Sequence, residues 1–331
     1  MFKENDIRPQ GLMQGQSERL TVDINRLLKY KNNFIDVPCP ACNSVDNYRI
    51  YKKYEIQFVS CRDCETVYAN PRPRPEHLEE YYQYSENYAY WNRYIFPASE
   101  SARREKIFKP RVAKVLDICQ IFNVSTNTIL EVGAGFGIFC EEIKKTGVFQ
   151  RVIGVEPTPD LAETCRSRGI EVIEKPIEQI DFSNNQIDVI VNFEVIEHLF
   201  SPQGFVLKCY EVLVSGGIFI LTCPNVKGFD IVTLGNISNA VDNEHINLFN
   251  INSLTILLES CGFEVIEKQT PGKLDAELVR NKIIAGEFDV SNQPFLKQIL
   301  IDEWDSKGEA FQFFLSANLL SSNMMLVARK P

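Results

Sequence analysis

The stretch I-L-E-V-G-A-G-F-G, residues 129–137, decides the fold of this chain. It reads as an apolar strand that ends in a glycine-dense turn, and the pattern predicts a helix from Phe136 to Thr146 directly after the turn. Glycines at positions 133, 135 and 137 let the backbone approach a ligand closely, because they carry no Cβ atom. The helix would direct its free N–H groups to the same place. The stretch therefore indicates a nucleotide-like cofactor.

The residues around the glycines indicate which cofactor this is. A dinucleotide fingerprint, G-x-G-x-x-G, would need its third glycine where this chain has Ile138. Glu131, two residues before the first glycine, would repel a pyrophosphate but suits a ligand that carries an ammonium group. S-adenosylmethionine carries both an ammonium and a sulfonium group, and we expect it to be the cofactor.

Strands and helices alternate after this turn. Apolar runs predict strands at 151–156, 170–174, 186–193 and 216–224, and helical patterns lie at 161–168 and 203–214. This alternation predicts a parallel sheet that is covered by helices on both faces. Ligands of such sheets bind at the carboxyl ends of the strands, where the glycine turn, Glu156 and the segment 192–198 all fall.

Residues 127–268 resemble class I S-adenosylmethionine-dependent methyltransferases. The resemblance rests on E-V-G-A-G-F-G, V-I-G-V-E, I-D-V-I-V-N-F-E-V-I-E-H-L and G-G-I-F-I-L-T-C-P-N, which occur in the order and spacing of that family. It implies an α/β fold with a doubly wound, seven-stranded, mostly parallel, Rossmann-like sheet. It also implies the cofactor-binding residues, with Glu131, Gly133, Ala134, Gly135 and Gly137 at the methionine part, Glu156 and Pro157 at the ribose, Pro176 and Ile177 at the adenine, and Asn192 and Phe193 near the sulfonium. The alternative, that the glycines serve helix–strand packing alone, leaves both carboxylates unexplained.

Four of the ten cysteines form two C-x-x-C pairs, Cys39 with Cys42 and Cys61 with Cys64, which 18 residues separate. Two such pairs predict a tetrahedral, structural zinc site with no open position, in a small ribbon. A redox pair and a metal-free ribbon are the alternatives. The other six cysteines are scattered through apolar segments, which indicates free core thiols and a reducing, cytoplasmic compartment.

Four regions are predicted along the chain: an N-terminal helical segment (1–36), the zinc ribbon (37–75), a tyrosine-rich linker and helix (76–123), and a methyltransferase domain (124–331). Six of the twelve tyrosines lie within residues 81–94, either as a lid over the active site or as a packing joint. The helix predicted from Ser99 to Phe122 carries a basic excess that would suit a phosphate or a solvated face. A helical insertion at 269–322, before the last strand, would form a substrate cap or a dimer contact.

Two of the three histidines, His198 and His245, lie near the predicted cleft. A base that deprotonates an acceptor needs a pKa near neutrality, which favours histidine, and His245 is the first candidate, against a merely structural role. The segment that contains Glu194, Glu197 and His198 resembles the acidic–histidine segment of ubiquinone-pathway O-methyltransferases, where it can bind a divalent metal. The alternative is that this segment simply starts a helix.

The order of ribbon first and methyltransferase second is similar to bacterial sugar C-methyltransferases, which act on nucleotide-linked deoxysugars. This resemblance implies a sugar-type acceptor and carbohydrate biosynthesis, although those enzymes pair a tyrosine with a histidine and no tyrosine follows Tyr210 here. O- or N-methylation of a sugar is therefore an equal expectation. An RNA methyltransferase and a non-catalytic scaffold are the rival readings. A net charge of −9 argues against nucleic acid, and neither a membrane-spanning run nor a signal-like segment at Met1–Gln16 is visible.

Overall fold

The computed structural model describes residues 2–182 and 187–331. Its N-terminal part is a helix followed by three short antiparallel strands: α1 (Gln10–Leu28), β1 (Asn47–Lys53), β2 (Ile56–Cys61) and β3 (Val67–Ala69). A helical arm then leads to the main sheet through α2 (Pro75–Gln83), α3 (Glu86–Tyr90), α4 (Phe96–Arg103) and α5 (Lys109–Ile121). Two π-helical turns, Trp91–Ile95 and Arg104–Phe108, join α3 to α4 and α4 to α5, so that the arm runs almost without interruption.

Strands and helices alternate from residue 128 onwards. The elements are β4 (Thr128–Val132), α6 (Ile138–Lys145), β5 (Arg151–Val155), α7 (Pro159–Ser167), β6 (Glu171–Ile173), β7 (Ile187–Phe193), α8 (Pro202–Val212), β8 (Leu213–Pro224), α9 (Phe229–Leu234), β9 (Asn247–Leu248), α10 (Ile251–Ser260), β10 (Glu264–Gln269), α11 (Asp275–Ile284), α12 (Pro294–Lys297), α13 (Trp304–Ala317) and β11 (Asn323–Arg329). The helix after the glycine turn is two residues shorter at its start than predicted.

The main sheet confirms the predicted fold class. Seven strands lie in the order β10-β11-β8-β7-β4-β5-β6, and β11 alone runs antiparallel to its neighbours. The predicted strand at 186–193 appears as β7, although Gln186 lies outside the described residues. The carboxyl ends of β4, β5 and β7 meet at one edge, because these strands are parallel.

The sheet is buried on both faces, which is why its strands read as continuous apolar runs. Odd and even positions along each strand face opposite sides, so that Leu130 packs towards α8 and α10 while Ile129 packs towards α5, α6 and α7. The doubly wound arrangement thus follows from the sequence pattern.

The small N-terminal sheet receives its fourth strand from the second half of the chain. β9 pairs with β3 in antiparallel register, with Val67 opposite Leu248 and Tyr68 opposite Asn247. Arg72, which follows β3, is only 1% exposed. The backbone of Arg72 also exchanges two hydrogen bonds with Ile35. The ribbon is therefore built into the rest of the molecule.

The insertion between β10 and β11 is helical, as predicted, and it folds back onto the loop after β8. Its helices α11 and α13 form a small apolar cluster with α9, which includes Leu234, Ala276, Val279 and Leu300. Across residues 2–182 and 187–331, none of the helices combines the length and the apolar character that a bilayer crossing requires.

Candidate functional site

The glycine turn lies between β4 and α6 and takes left-handed backbone angles. Gly133 has a φ of 79°, and a Cβ atom there would stand 2.4 Å from Val195 Cγ2, so that no larger residue fits. The N–H groups of Gly133 and Ala134 both donate to the Val155 carbonyl, and that of Gly137 donates to Ala134. Since these N–H groups are used within the protein, they are not available to hold a pyrophosphate.

Two buried carboxylates flank this turn. Glu156 follows β5, and its side chain accepts hydrogen bonds from the N–H groups of Gly135 at 2.8 Å and Thr158 at 2.9 Å. Burial raises the pKa of Glu156 above its usual value. Glu131, in β4, accepts from the weak donor Cys140 Sγ at 3.0 Å, and burial raises the pKa of Glu131 to about 8. Because both carboxylates are buried from solvent, they suit a ligand that brings a positive charge and hydroxyl donors.

Asn192 and Phe193 end β7, next to the turn. The Asn192 amide donates to the Val132 carbonyl at 3.0 Å, while its buried Oδ1 finds no hydrogen-bond partner among the described residues. The ring of Phe193 lies under the Arg111 guanidinium, 4.5 Å from ring centre to Cζ. A free acceptor and an aromatic face thus stand side by side at the end of this strand.

The remaining predicted cofactor residues lie along the β5–β6 side. Pro157 is exposed directly after Glu156, Pro176 is half-buried, and Ile177 is 2% exposed within the main core. Their assignments to ribose and adenine stay predictions.

His198 and His245 come together although 47 positions separate them in the sequence. Their rings lie 4.7 Å apart between centroids, and the ligand atoms of both and of Glu197 all lie within 4.8 Å of one another. Glu197 is fully buried, and neither of its carboxylate oxygens has a hydrogen-bond partner within 2–182 and 187–331. Two imidazoles and a carboxylate in this arrangement can exchange protons or hold a divalent cation.

His245 is the histidine on the cleft side of this pair. Its Nδ1 lies 2.8 Å from the Ala240 carbonyl, so that this nitrogen carries a proton and Nε2 remains free to accept one. Burial by itself lowers the pKa of His245, but the charges of Asp242, Glu197 and Glu244 outweigh burial and raise it to about 9. Burial and the neighbouring His245 lower the pKa of His198 well below its usual value.

The tyrosine cluster reaches this site through Glu244, which the sequence analysis did not single out. Tyr81 and Tyr88 donate to its two carboxylate oxygens at 2.7 Å and 3.1 Å, and Asn87 donates to it at 3.1 Å. Tyr82 places its ring 6.2 Å from that of His198. The cluster is thus a packing joint that contacts Glu244 and His198. Two features of the sequence could have indicated Glu244. It is an acidic residue directly before the predicted base His245, and residues 81–94 contain an excess of tyrosine hydroxyls.

Glu194 takes a different position from the rest of its segment. Its Oε1 accepts from Thr222 Oγ1 at 2.6 Å, Asn323 Nδ2 at 2.9 Å and Arg111 Nη2 at 3.3 Å. Among the described residues, His245 rather than Glu194 completes the group with Glu197 and His198. The Glu194 carboxylate instead joins the ends of β8 and β11 to α5.

A cavity of about 380 Å³ opens at this edge of the sheet. Phe193, Glu194, Arg111 and His245 line it, together with Thr222. The insertion closes the opposite side with Pro271, Asp275 and Leu278, and the N-terminus adds Phe2 and Arg8. The space thus lies beside Phe193, where the sulfonium is predicted, and is large enough for a small polar molecule.

The four ribbon cysteines face one another. Sγ atoms lie 3.4 Å apart between Cys39 and Cys64 and 3.6 Å apart between Cys42 and Cys61, which is far longer than a disulfide bond of about 2.05 Å. Tetrahedral zinc–sulfur bonds of about 2.3 Å place sulfurs about 3.8 Å apart. Each pair sits in the same kind of turn, in which Asn43 donates to Cys39 and Glu65 donates to Cys61, both with positive φ. The donor set and its spacing therefore fit zinc.

The comparisons with known proteins agree with this geometry. A family model described as "Methyltransferase domain" matches residues 100–268. A probable S-adenosylmethionine-dependent methyltransferase of Mycolicibacterium smegmatis is 32% identical over 139 residues, which are 41% of this chain and 52% of that protein. A ubiquinone biosynthesis O-methyltransferase of Chelativorans sp. is 27% identical over 115 residues, which are 32% of this chain and 45% of that protein.

These matched segments span only about half of the length of the two relatives. A solved structure of an S-adenosylmethionine-dependent methyltransferase from Clostridium acetobutylicum has 12% sequence identity and a TM-score of 0.48, and the alignment covers 72% of this chain and 98% of that one. The family model spans more than half of the chain. The chain therefore belongs to the methyltransferase domain family.

Proposed function

We propose that this protein is an S-adenosylmethionine-dependent methyltransferase that acts on a small polar acceptor, a sugar or a nucleotide-linked sugar of surface polysaccharide or secondary metabolism. The observation that carries the proposal is the arrangement at one edge of the sheet. The buried carboxylate of Glu131 lies in β4, and that of Glu156 follows β5. A cavity of about 380 Å³ with His245 in its wall lies beside Phe193. One ligand with an ammonium and a ribose would satisfy the carboxylates, and a second would fill the cavity.

The cofactor supplies an electrophilic methyl group when it is bound. Glu131 would pair with its ammonium, Glu156 would accept from its ribose hydroxyls, and Asn192 and Phe193 would flank the sulfonium. Catalysis would then consist mainly of positioning, since an in-line displacement needs the acceptor atom aligned with the methyl carbon and little else. The acceptor–methyl bond forms while the carbon–sulfur bond breaks, and the electron pair of that bond stays on sulfur.

His245 is the proposed general base. Its Nε2 would take the proton of the acceptor hydroxyl, and the proton on Nδ1 would stay on that nitrogen, hydrogen-bonded to the Ala240 carbonyl. Asp242 and Glu197 would stabilise the imidazolium that results, because both are close enough to raise the pKa of His245. Glu194 is proposed to orient the acceptor, since it lines the cavity and is itself fixed by Thr222 and Asn323.

A sugar-type acceptor is supported by the mixed character of the cavity wall. Charged groups such as Arg111, Glu194 and Asp230 can bond hydroxyls, while Phe193 and Ile220 offer apolar surface to a ring. Two cations of the arm are paired within the protein, Lys106 with Asp6 and Lys114 with Glu267, and these two offer little to an RNA backbone.

We also propose a structural zinc ion on Cys39, Cys42, Cys61 and Cys64, a cytoplasmic location and a homodimer. All ten cysteines lack a disulfide, which is consistent with a reducing compartment. Exposed phenylalanines in the insertion, among them Phe313 at 73%, would suit a contact between two copies.

The test is transfer of label from methyl-labelled S-adenosylmethionine to two separate pools, nucleotide-linked sugars and total RNA. We expect label in the sugar pool with the wild-type protein and a rate of labelling about 10²-fold lower with His245→Ala. Label in RNA alone would contradict the small-molecule acceptor. Label in neither pool, with the cofactor bound, would contradict the sugar assignment and direct attention to other acceptors or to a binding role.

A further inference from the structure

Arg72 is a buried cation without an acidic partner. It is 1% exposed, and no carboxylate of the described residues lies within ion-pair distance of it. Its guanidinium donates only to neutral oxygens: the carbonyls of Ala69 at 3.2 Å, Phe200 at 3.3 Å and Ile246 at 3.3 Å, and Asn247 Oδ1 at 3.0 Å. Burying a charge in this way is expensive, and an apolar side chain of similar volume would cost less. Arg72 lies where three segments meet: the end of β3, the segment 196–200 and the segment 245–247.

Asn247 continues the same set of contacts. Its amide nitrogen lies within hydrogen-bond distance of three carbonyls, at 2.7 Å from Leu199, 3.3 Å from Glu197 and 3.4 Å from Ile196. These carbonyls surround His198 in the chain, and Asn247 itself follows His245 by two positions. The Arg72–Asn247 pair therefore ties the segment 196–200 to the segment 245–247.

Besides this pair, a hydrogen bond between His198 and the backbone of Glu244 joins the two imidazole segments. His198 Nδ1 is buried and without a hydrogen-bond partner in the described part of the chain, and His245 Nδ1 bonds Ala240 within its own loop. The centroid distance of 4.7 Å between the rings is thus set by the bond from His198 to Glu244 together with the two backbone segments, which the Arg72–Asn247 pair connects. The planar fork of arginine suits this task, because its donors have fixed directions.

We infer that Arg72 and Asn247 are positioning residues, which hold the segments of His198 and His245 at the separation that proton transfer to His245 requires. The inference rests on the proposed function, in which His245 is the base. It gives the ribbon a role in catalysis, since Arg72 belongs to the ribbon side and β9, which begins at Asn247, is the fourth strand of the ribbon sheet. A displacement of about 1 Å at a reacting group can cost about 10²-fold in rate.

The test is Asn247→Leu, which keeps the branched shape of the side chain, with bulkier methyl groups in place of the amide, and removes its bonds to Arg72 and to the three carbonyls. We expect kcat to fall about 10²-fold, while the dissociation constant of S-adenosylmethionine and the KM of the acceptor change little. A second readout is independent of turnover. The chain has three histidines, so the ring resonances of His198, His245 and His77 can be followed in the NMR spectrum. We expect the first two to shift and His77, which stacks on Tyr30, to stay in place.

The matched control is Asn250→Ser. Asn250 also joins the ribbon to the second half of the chain, through a 2.9 Å bond to the Cys64 carbonyl, but it touches neither histidine segment. A serine keeps an oxygen for the cap of α10, so we expect wild-type kcat and unshifted histidine signals. Equal losses in both variants would show that general attachment of the ribbon matters and would overturn the specific role of the pair.

Unchanged histidine resonances in a folded Asn247→Leu protein would also overturn the inference. If the wild type has no methyltransferase activity, the proposed function fails, while the resonances still test the positioning role. Where Asn247→Leu does not fold, Asn247→Ser, which can reach at most one of the three carbonyls, serves in its place. Failure of both variants to fold would assign the pair to stability alone and would count against positioning.

Discussion

Glu156 shows how one side chain joins the turn to the expected ligand. Its carboxylate accepts hydrogen bonds from the N–H groups of Gly135 and Thr158. The residue is 5% exposed and directly follows a parallel strand. Burying a carboxylate costs free energy. The proposed ligand, which would bond this carboxylate, accounts for its position better than contacts within the protein alone. The same argument applies to Glu131, whose protein partner is a thiol.

Glu156→Ala should weaken the binding of S-adenosylmethionine at least tenfold, about 1.4 kcal/mol, because the ribose hydroxyls lose their acceptor and the turn loses two anchors. Isothermal titration calorimetry measures the dissociation constant. Glu171→Ala is the control, since this glutamate pairs with Arg151 at the exposed end of β5 and β6 and should leave the affinity unchanged. Wild-type affinity in Glu156→Ala would remove the ribose assignment.

His245→Ala should lower turnover by about 10²-fold or more while the affinity for the cofactor stays intact, because the variant loses only its base. With a pKa of about 9, the His245 imidazole of the wild type is mostly protonated at neutral pH. Since only the neutral form accepts a proton, kcat/KM should rise with pH towards about 9 and then level off.

Asp242→Asn tests the same pH dependence of kcat/KM. Asp242 is the largest of the charges that raise the pKa of His245, and its removal should lower that pKa and move the rising limb of the profile to lower pH. A profile that is flat in the wild type, or one that does not move in Asp242→Asn, would exclude the base role of His245. Full activity of His245→Ala would do the same.

At the scale of elements, ion pairs explain part of the basic character of the arm formed by α4 and α5. Arg104 pairs with Glu100, Glu141 and Glu142, and Arg168 pairs with Glu100 and Glu141, so that the arm is fastened to α6 and α7. Phe96 places its ring 3.7 Å from that of Phe136 in the glycine turn. Arg104 and Arg168 thus hold the arm against the helices that follow β4 and β5, beside the glycine turn.

The ribbon is the element whose stability should depend on the proposed zinc ion. Cys39→Ser should lose the zinc and destabilise β1, β2, β3 and their partner β9, because much of the folding free energy of small zinc sites comes from the metal. Zinc content by elemental analysis and amide hydrogen exchange of these strands measure the two effects. Cys119→Ala, at a buried thiol of α5, is the control and should keep the full zinc content. A wild-type protein that is free of zinc and yet fully folded would contradict the zinc site.

At the scale of the whole molecule, distant parts of the chain share one site. The ribbon sheet is completed by β9, the tyrosines of the arm bond Glu244, and the insertion closes the cavity through Pro271 and Leu278. The predicted boundaries at 37, 76 and 124 therefore divide the sequence, while the contacts of the site cross all of them. The insertion lines the cavity, which favours the substrate-cap reading, and its outer side carries exposed apolar residues.

The homodimer is a prediction at this scale. Phe313→Asp should shift the protein from dimer to monomer in sedimentation velocity, because a charge in an apolar contact costs more than it does at a solvated surface. Val45→Asp is the control, since Val45 is 80% exposed on the ribbon side, away from the insertion in sequence. A monomeric wild type would contradict the dimer, and a dimer that persists in Phe313→Asp would contradict a contact through this part of the insertion.

The sequence by itself determined the sheet, the glycine turn with its two carboxylates and the cysteine set, because these features follow from local periodicity and short spacings. Only the tertiary structure decided that Glu244 meets Tyr81 and Tyr88, and that Arg72 meets Asn247, across more than 150 positions. No tyrosine follows Tyr210 in the sequence, yet the fold brings Tyr82 of the arm to His198. Such contacts depend on how finished elements pack, and no pattern within one segment records which distant segment will cover it.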